Sequence, residues 1–435
     1  MITRWKNALA LGSALSLCTV PAIPAAADIT AGDRDTIVDA IADRIEENFF
    51  DRDRGARIAA DLRDAEDGGI FDSAADESEL AMALTSHLRE EDHHFSVRYS
   101  PEASNRGSTD DRPARRAPDG RSDNFGFQDV SVLPGNVGYI DMTMFYPAGV
   151  GGDTAAAALD FIQHSDAVIF DMRNNRGGAP SMVQLLISHF LEPGEDTLIN
   201  TFISSAQDYP SELRQLEYLP SRSRPDVPLY VLTSRRSGSA GEAFPYHLQA
   251  LDRATIVGER TYGAGNPGRT FDAGDGFSVF VSTGSARNPV TGTNWEGTGV
   301  TPDVPVDETD ALDEALKLAY AEIAARSDDA TRIREMEWAI EAIEASDPQV
   351  DMRSFADIAG QYGPVRIDAE DGAILMHQGP GRTEQLIPLE DGYFLVRGRH
   401  DRRIRFEHDA GDAATALIIE RPDATSTRLR RTEAR

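Results

Sequence analysis

The sequence predicts a mixed α/β protein with a helical N-terminal segment and a small antiparallel β domain at the C-terminal end. Three observations carry that reading. Apolar residues recur every four positions at Ile37, Ile41, Ile45 and Phe49, as on one face of a helix. Short apolar runs alternate with helical stretches between residues 125 and 310, the pattern of a parallel-rich sheet covered by helices. Beyond residue 356, short strand-like runs are separated by turns such as Asp371-Gly372, Asp391-Gly392 and Gly411-Asp412, as in a small barrel.

The first 27 residues read as a cleavable secretion signal. Arg4 and Lys6 precede an apolar stretch from Ala8 to Val20, and Ala25-Ala26-Ala27 supplies a small-residue cleavage site. The stretch is too short to cross a bilayer comfortably. Cys18, the only cysteine, lies inside it, and Leu17 before it is a poor lipoprotein signal. The mature chain would hold no thiol, which excludes disulfides, cysteine nucleophiles and cysteine-based metal sites. The expected location is the periplasm or the exterior, with no membrane insertion. The 435 residues suffice for two or three domains. A net charge of −30 repels nucleic acid and anionic lipid, so neither is an expected partner. There are only two lysines, Lys6 and Lys317.

The elements follow in order. Residues 28–95 read as a helical bundle, with Thr30–Phe50, Ile58–Leu62 and Leu80–Leu88 as its helices. Residues 96–124 read as a flexible loop: Phe95–Tyr99 has strand character, but from residue 101 there is no apolar periodicity and an abundance of Gly, Pro, Ser and charge. In the 125–310 core, strands are expected at 136–145, 167–172, 229–232, 255–257 and 277–282. Helices are expected at Thr154–Gln163, Met182–Leu191 and Glu242–Leu251. Residues 311–350 are helical and polar outside. The 356–435 segment supplies short strands around Ile367, Ala373–Met376, Gln385–Pro388, Tyr393–Val396, Ile404–Phe406 and Ala416–Ile419.

Four segments could carry chemistry. Thr233 to Glu242 (TSRRSGSAGE) follows a buried strand and opens a helix. A serine there sits at the carboxyl edge of the sheet, where helix N–H groups can hold an oxyanion. It is not the G-x-S-x-G elbow, since position 237 is Ser, and the same residues also suit a plain helix cap. Asp92-His93-His94-Phe95 offers a base for such a serine, or a polar turn ending a helix. The metal reading is weaker, because no carboxylate–histidine helical spacing accompanies the pair. Arg173-Asn174-Asn175-Arg176-Gly177-Gly178 lets a backbone approach a substrate closely, or is an ordinary connecting loop. It lacks the phosphate-loop lysine, so nucleotide binding is not expected. Glu296, in Asn294-Trp295-Glu296-Gly297, could orient a histidine or be an exposed turn residue. No motif calls for a cofactor.

Together and in this order, these segments resemble the C-terminal processing peptidases, or tail-specific proteases. The similar branch is the one related to interphotoreceptor retinoid-binding protein and the tricorn protease catalytic domain. The pieces that carry the resemblance are Asp92-x-His94-Phe95-x-Val97, Gly138-Tyr139-Ile140 and Asp171-x-Arg173-x-Asn175-x-Gly177-Gly178. Thr233-Ser234 with Ser239-Ala240-Gly241-Glu242, Val257-Gly258-Glu259-x-Thr261-x-Gly263 and Asn294-Trp295-Glu296-Gly297-x-Gly299-Val300-x-Pro302-Asp303 complete the set.

The resemblance implies a crotonase-like ββα core and serine peptidase chemistry on peptide or protein substrates. It implies Ser239 as the nucleophile, with the N–H groups of Ala240, Gly177 and Gly178 as the oxyanion hole. One branch takes its base from a lysine in the segment after the nucleophile, where this chain reads Gly263-Ala264-Gly265. Ala264 cannot accept a proton. The tricorn-like branch uses a histidine and a glutamate, and His94 and Glu296 fall on those positions. His93 stands where that pattern has a serine. A histidine base predicts activity that rises with pH through about 6–7. The rival reading is a non-catalytic binding protein for an apolar ligand on the same fold.

Overall fold

The computed structural model describes residues 29–100, 120–204, 209–345, 355, 357–370, 373–379, 381–389, 392–409 and 414–432. The expected signal segment and most of the 101–124 stretch lie outside the described residues.

Three capped helices open the described chain: α1 (Ala31–Asn48), α2 (Arg52–Asp67) and α3 (Glu77–Leu88). Thr30 and Asp33 cap α1 reciprocally, and the carboxylates of Asp51 and Asp76 accept from first-turn N–H groups of α2 and α3. The Ile37–Phe49 stripe is buried, as its spacing requires. A strand follows at once: β1 (Ser96–Tyr99). The segment expected to be loop from residue 96 therefore begins as paired sheet. Val97 is buried in the helical core, and backbone pairing satisfies the strand's polar groups.

The middle of the chain holds β2 (Phe127–Leu133), β3 (Val137–Met142), α4 (Ala148–Phe161), β4 (Ala167–Asp171), α5 (Pro180–Ser188), β5 (Leu198–Ser204), β6 (Ser211–Arg214) and β7 (Leu229–Thr233). Then come α6 (Ala240–Ala250), β8 (Thr255–Gly258), β9 (Gly268–Gly274), β10 (Phe277–Ser282), β11 (Gly284–Arg287) and β12 (Val304–Pro305). The principal sheet has the order β12-β8-β7-β4-β3-β2, parallel except for β2 at its edge. All five residues of both β4 and β7 are buried, as in a sheet covered on both faces. One face packs against α4, α5 and α6 around Phe170, Phe190 and Phe244. The other packs against α7 (Ala311–Ala325) and α8 (Ala330–Glu344) around Ile169, Leu232 and Tyr320. A second sheet runs β11-β5-β6.

The third sheet, β1-β10-β9, joins the N-terminal helices to the core. Phe49 and Phe95 share one apolar cluster with Phe277, Val279 and Val281. The 28–95 segment thus closes its core on strands contributed from 180 residues downstream, not by itself.

The C-terminal strands form a closed antiparallel barrel: β13 (Gly360–Tyr362), β14 (Val365–Glu370), β15 (Ala373–Gln378), β16 (Thr383–Pro388), β17 (Tyr393–Val396), β18 (Arg399–His408), β19 (Ala414–Glu420) and β20 (Ser426–Thr432). Closure removes the sheet edges. The barrel has its own core around Tyr362, Met376 and Leu417. It meets α8 through Arg403, which lies 4.5 Å over the Trp338 ring and pairs with Glu341.

Among the described residues, no helix is long and apolar enough to cross a membrane.

Candidate active site

The parallel strands β4 and β7 are neighbours, with Asp171 paired to Leu232 near their carboxyl ends. Loops leaving such an edge meet in a crevice. Here they are sewn together. Ser234 Oγ donates to Arg173 O at 2.6 Å, Ser237 Oγ to Met172 O at 2.8 Å, and the Gly238 N–H to Asn175 O at 3.0 Å. Arg173 in turn forms a short ion pair with Asp171, whose carboxylate also accepts from Tyr139 Oη at 2.7 Å.

Ser239 stands at the N-cap of α6 with φ +55° and ψ −123°. A side chain strains that conformation, which persists only where the surroundings over-determine it. The residue closes the 234–239 loop that joins β7 to α6. The restraint comes from Glu242, one turn on and fully buried. Its Oε2 accepts from the Ser239 N–H at 2.8 Å and the Ala264 N–H at 2.9 Å. Its Oε1 accepts from the Gly263 N–H at 2.6 Å and Thr261 Oγ1 at 2.5 Å. Burial raises the Glu242 pKa, and these four donors offset part of that effect.

The Gly177-Gly178 backbone lies against this turn. A Cβ on Gly177 would stand 2.7 Å from Ser239 Cβ and 3.0 Å from the Ala240 nitrogen. One on Gly178 would stand 2.1 Å from Phe145 O. Both have positive φ, so no other residue fits either position. One expected donor is engaged elsewhere: the Gly177 N–H donates to Asn175 Oδ1 at 2.9 Å, because the buried Asn175 carboxamide must itself be satisfied. The Ala240 N–H is the first of its helix and has no acceptor within it.

The opposite wall carries His94, between α3 and β1. Its Nδ1 lies 3.6 Å from Glu296 Oε2, within ion-pair range but longer than a hydrogen bond, and it has no hydrogen-bond partner among the described residues. The ring stacks near Phe280 at 5.8 Å. Backbone donors fix Glu296: the His93 N–H on Oε1 at 3.0 Å, and those of Gly265 and Asn266 on Oε2 at 2.5 and 2.9 Å. Burial pushes the Glu296 pKa up, but the His94 ring and these N–H groups outweigh it and hold the carboxyl below its ordinary range. Glu296 is therefore ionised at neutral pH.

Asp92, also buried, accepts from the His94 N–H at 2.9 Å and from Asn266 Nδ2 at 3.0 Å. Burial, and then the Glu296 charge, raise its pKa. The side-chain polar atoms of Asp92, His94 and Glu296 gather within 4.8 Å of one another. N–H donors, among them the backbone groups of His93 and His94, already occupy both carboxylates.

Ser239, His93, His94 and Ala264 all line one cavity of about 490 Å³. The structure thus brings the two halves of the expected site together. Lys317 is remote from it. It lies on α7, across the sheet from α6, and pairs with Glu314 at 2.5 Å. The sequence shows Glu242 and Asp92 only as parts of motifs, and it carries no local signal for Asn266.

Comparison with known proteins agrees with the resemblance. Residues 136–306 match peptidase family S41. The chain is 28% identical over 194 residues to the carboxyl-terminal-processing protease of Synechocystis, covering 44% of this chain and 42% of that protein. It is 25% identical over 181 residues to the carboxy-terminal-processing protease of Bartonella bacilliformis, covering 40% of each. It is 28% identical over 175 residues to the chloroplastic C-terminal processing peptidase of Tetradesmus obliquus, covering 39% of this chain and 35% of that one. The chain spans well under half the length of these relatives. Among solved structures, the photosystem II D1 C-terminal processing protease is matched with TM-score 0.39 at 17% identity, covering 64% of this chain and 94% of that one.

Proposed function

We propose that this chain is a secreted or periplasmic serine peptidase that hydrolyses peptide bonds through an acyl-enzyme, with Ser239, His94 and Glu296 as its catalytic set. The observation that carries this reading is the strained Ser239 turn, clamped by a buried carboxylate and facing a cavity that His94 also lines. A helix cap without chemistry has no need of such strain. The match of residues 136–306 supports the same reading, within which the principal sheet and its helices form a crotonase-like core.

In the proposed reaction, His94 accepts the Ser239 hydroxyl proton as Oγ bonds to the substrate carbonyl carbon. The ionised Glu296 stabilises the imidazolium that forms. The carbonyl oxygen takes the negative charge beside the N–H groups of Gly178 and Ala240, each donor being worth roughly 3–4 kcal/mol in a comparable hydrolase. Collapse breaks the C–N bond, and His94 returns the proton to the leaving amine. Water, deprotonated by His94, then cleaves the ester and frees Ser239.

The test is incubation of the purified protein with a mixed peptide digest, with new termini read by mass spectrometry. Wild type should create new termini, and Ser239→Ala should create none. Identical products from both proteins would refute the reading. An apolar-ligand carrier is a poor fit to the cavity, whose lining includes five arginines.

A further inference from the structure

We infer that the cleft selects peptides bearing acidic side chains. The inference rests on the peptidase reading for its substrate, but its evidence is separate. The cavity holding Ser239 and His94 is lined by Arg89, Arg98, Arg176, Arg235 and Arg236, and by no Asp or Glu. In a chain with 73 acidic residues against 43 basic ones, that is a local reversal of sign. Two other grooves among the described residues do not share it. The one beside β8 mixes Glu259 and Asp307 with Arg235 and Arg260. The one beside α7 mixes Asp226, Asp252 and Glu322 with Arg253 and Arg326.

The five cations are not equally committed. Arg236 pairs with Glu308 at 2.7 Å, and Arg235, 84% exposed, approaches Glu259 at 3.4 Å. Arg89 donates Nε to the Phe95 carbonyl at 3.1 Å. Among the described residues, Arg98 and Arg176 meet no carboxylate within ion-pair distance. Both line the same cavity as Ser239 and His94. Arg98 lies on β1, four residues after His94, and its neighbour Val97 turns into the core, so alternation sends Arg98 to the cavity side. Arg176 directly precedes the Gly177-Gly178 turn.

Guanidinium groups bind carboxylates in a two-pronged fashion that ammonium groups cannot match. Two uncommitted ones in a cleft wall are receptors for carboxylate side chains of a bound peptide. A long polyanion is a worse fit, because beyond about 10 Å, the Debye length at 0.1 M salt, it meets the acidic exterior.

The test uses the Ser239→Ala protein and two hexapeptides, acetylated and amidated so that the termini are neutral. One carries two glutamates and the other two glutamines at the same positions, and binding is measured by calorimetry. The glutamate peptide should bind about five- to twentyfold more tightly in dilute salt, an advantage that shrinks at 0.5 M salt. The ratio should fall towards one in a variant that adds Arg98→Gln and Arg176→Gln. Equal affinities, no binding of the glutamate peptide, or a ratio unchanged by the arginine substitutions would overturn the inference. Turnover by wild type keeps the two readings apart. Cleavage with no glutamate preference defeats this inference alone, and glutamate preference with no cleavage of any peptide defeats the peptidase reading alone.

Discussion

The two walls of the cleft are built on opposite plans. The Ser239 wall rises from a parallel sheet buried on both faces, and one buried carboxylate ties its strained turn to the 261–264 segment through four hydrogen bonds. The His94 wall hangs from a three-stranded sheet and the N-terminal helices. Its imidazole stands 3.6 Å from Glu296 with no hydrogen bond to its Nδ1 among the described residues. In the proposed reaction, Ser239 would be held in place before substrate arrives, whereas the 3.6 Å gap between His94 and Glu296 would close on binding. Catalytic hydrogen bonds often tighten only when substrate fills the site.

The first way to break this comparison is to change one side chain in each wall. Ser239→Ala should lower kcat/KM by at least about 10⁴-fold, and Glu296→Gln by about 10²–10⁴-fold, since an orienting carboxylate matters less than the nucleophile. Steady-state kinetics on one peptide would check both, and a Glu296→Gln loss as large as that of Ser239→Ala would contradict the ranking. The next is to loosen the clamp. Glu242→Gln replaces an acceptor with an amide that faces N–H donors, and leaving one such buried group unpaired costs about 1–3 kcal/mol. kcat should fall about 10–100-fold with KM little changed, and hydrogen exchange at Gly263 and Ala264 should quicken.

A third prediction concerns acid. His247, on the buried side of α6, is hydrogen-bonded to Asn288 at 2.9 Å, and burial holds its pKa down to about 3. Its folded pKa is below the unfolded value of about 6.5, so the fold is favoured above that pH and penalised as pH falls towards 3. The penalty reaches about 2–3 kcal/mol at pH 4.5. Asp141 acts in the other direction, since burial and then the Asp171 charge raise its pKa to about 6 and favour the fold as pH drops from about 6 to 4. Thermal melts of His247→Gln should lose less Tm between pH 7 and 4.5 than wild type. An equal loss would show that another group governs acid sensitivity.

The smallest effect on turnover is expected far from both walls. Leu417, fully buried in the barrel core, contributes about 2–5 kcal/mol there. Leu417→Ala should lower the barrel's melting temperature and leave kcat unchanged. A parallel loss of activity would tie the barrel to the cleft.

The same contrast explains what could be read in the sequence. The buried strands β4 and β7 announce themselves as continuous apolar runs, and α1 as a four-residue stripe. β9 and β20 leave no such trace, because Gly268–Gly274 and Ser426–Thr432 each present one large apolar residue among polar ones. β5, β6 and β11 form a small satellite sheet with little buried apolar surface. At the proposed site, Ser239, His94 and Glu296 stand out in the sequence through motif and resemblance. The clamp does not, for a buried glutamate that opens a helix reads like any first-turn carboxylate. The diversion of the Gly177 N–H to Asn175 was invisible for a related reason, since hydrogen-bond partners within a loop leave no periodic trace.

The central claim is that the two walls together activate Ser239. The most direct measurement is covalent labelling of the purified protein with a peptidyl phosphonate, read by mass spectrometry beside Ser239→Ala and His94→Ala. The account predicts one label on wild type, located on Ser239, and none on either variant. An unlabelled wild type, or a label that survives in His94→Ala, would contradict it.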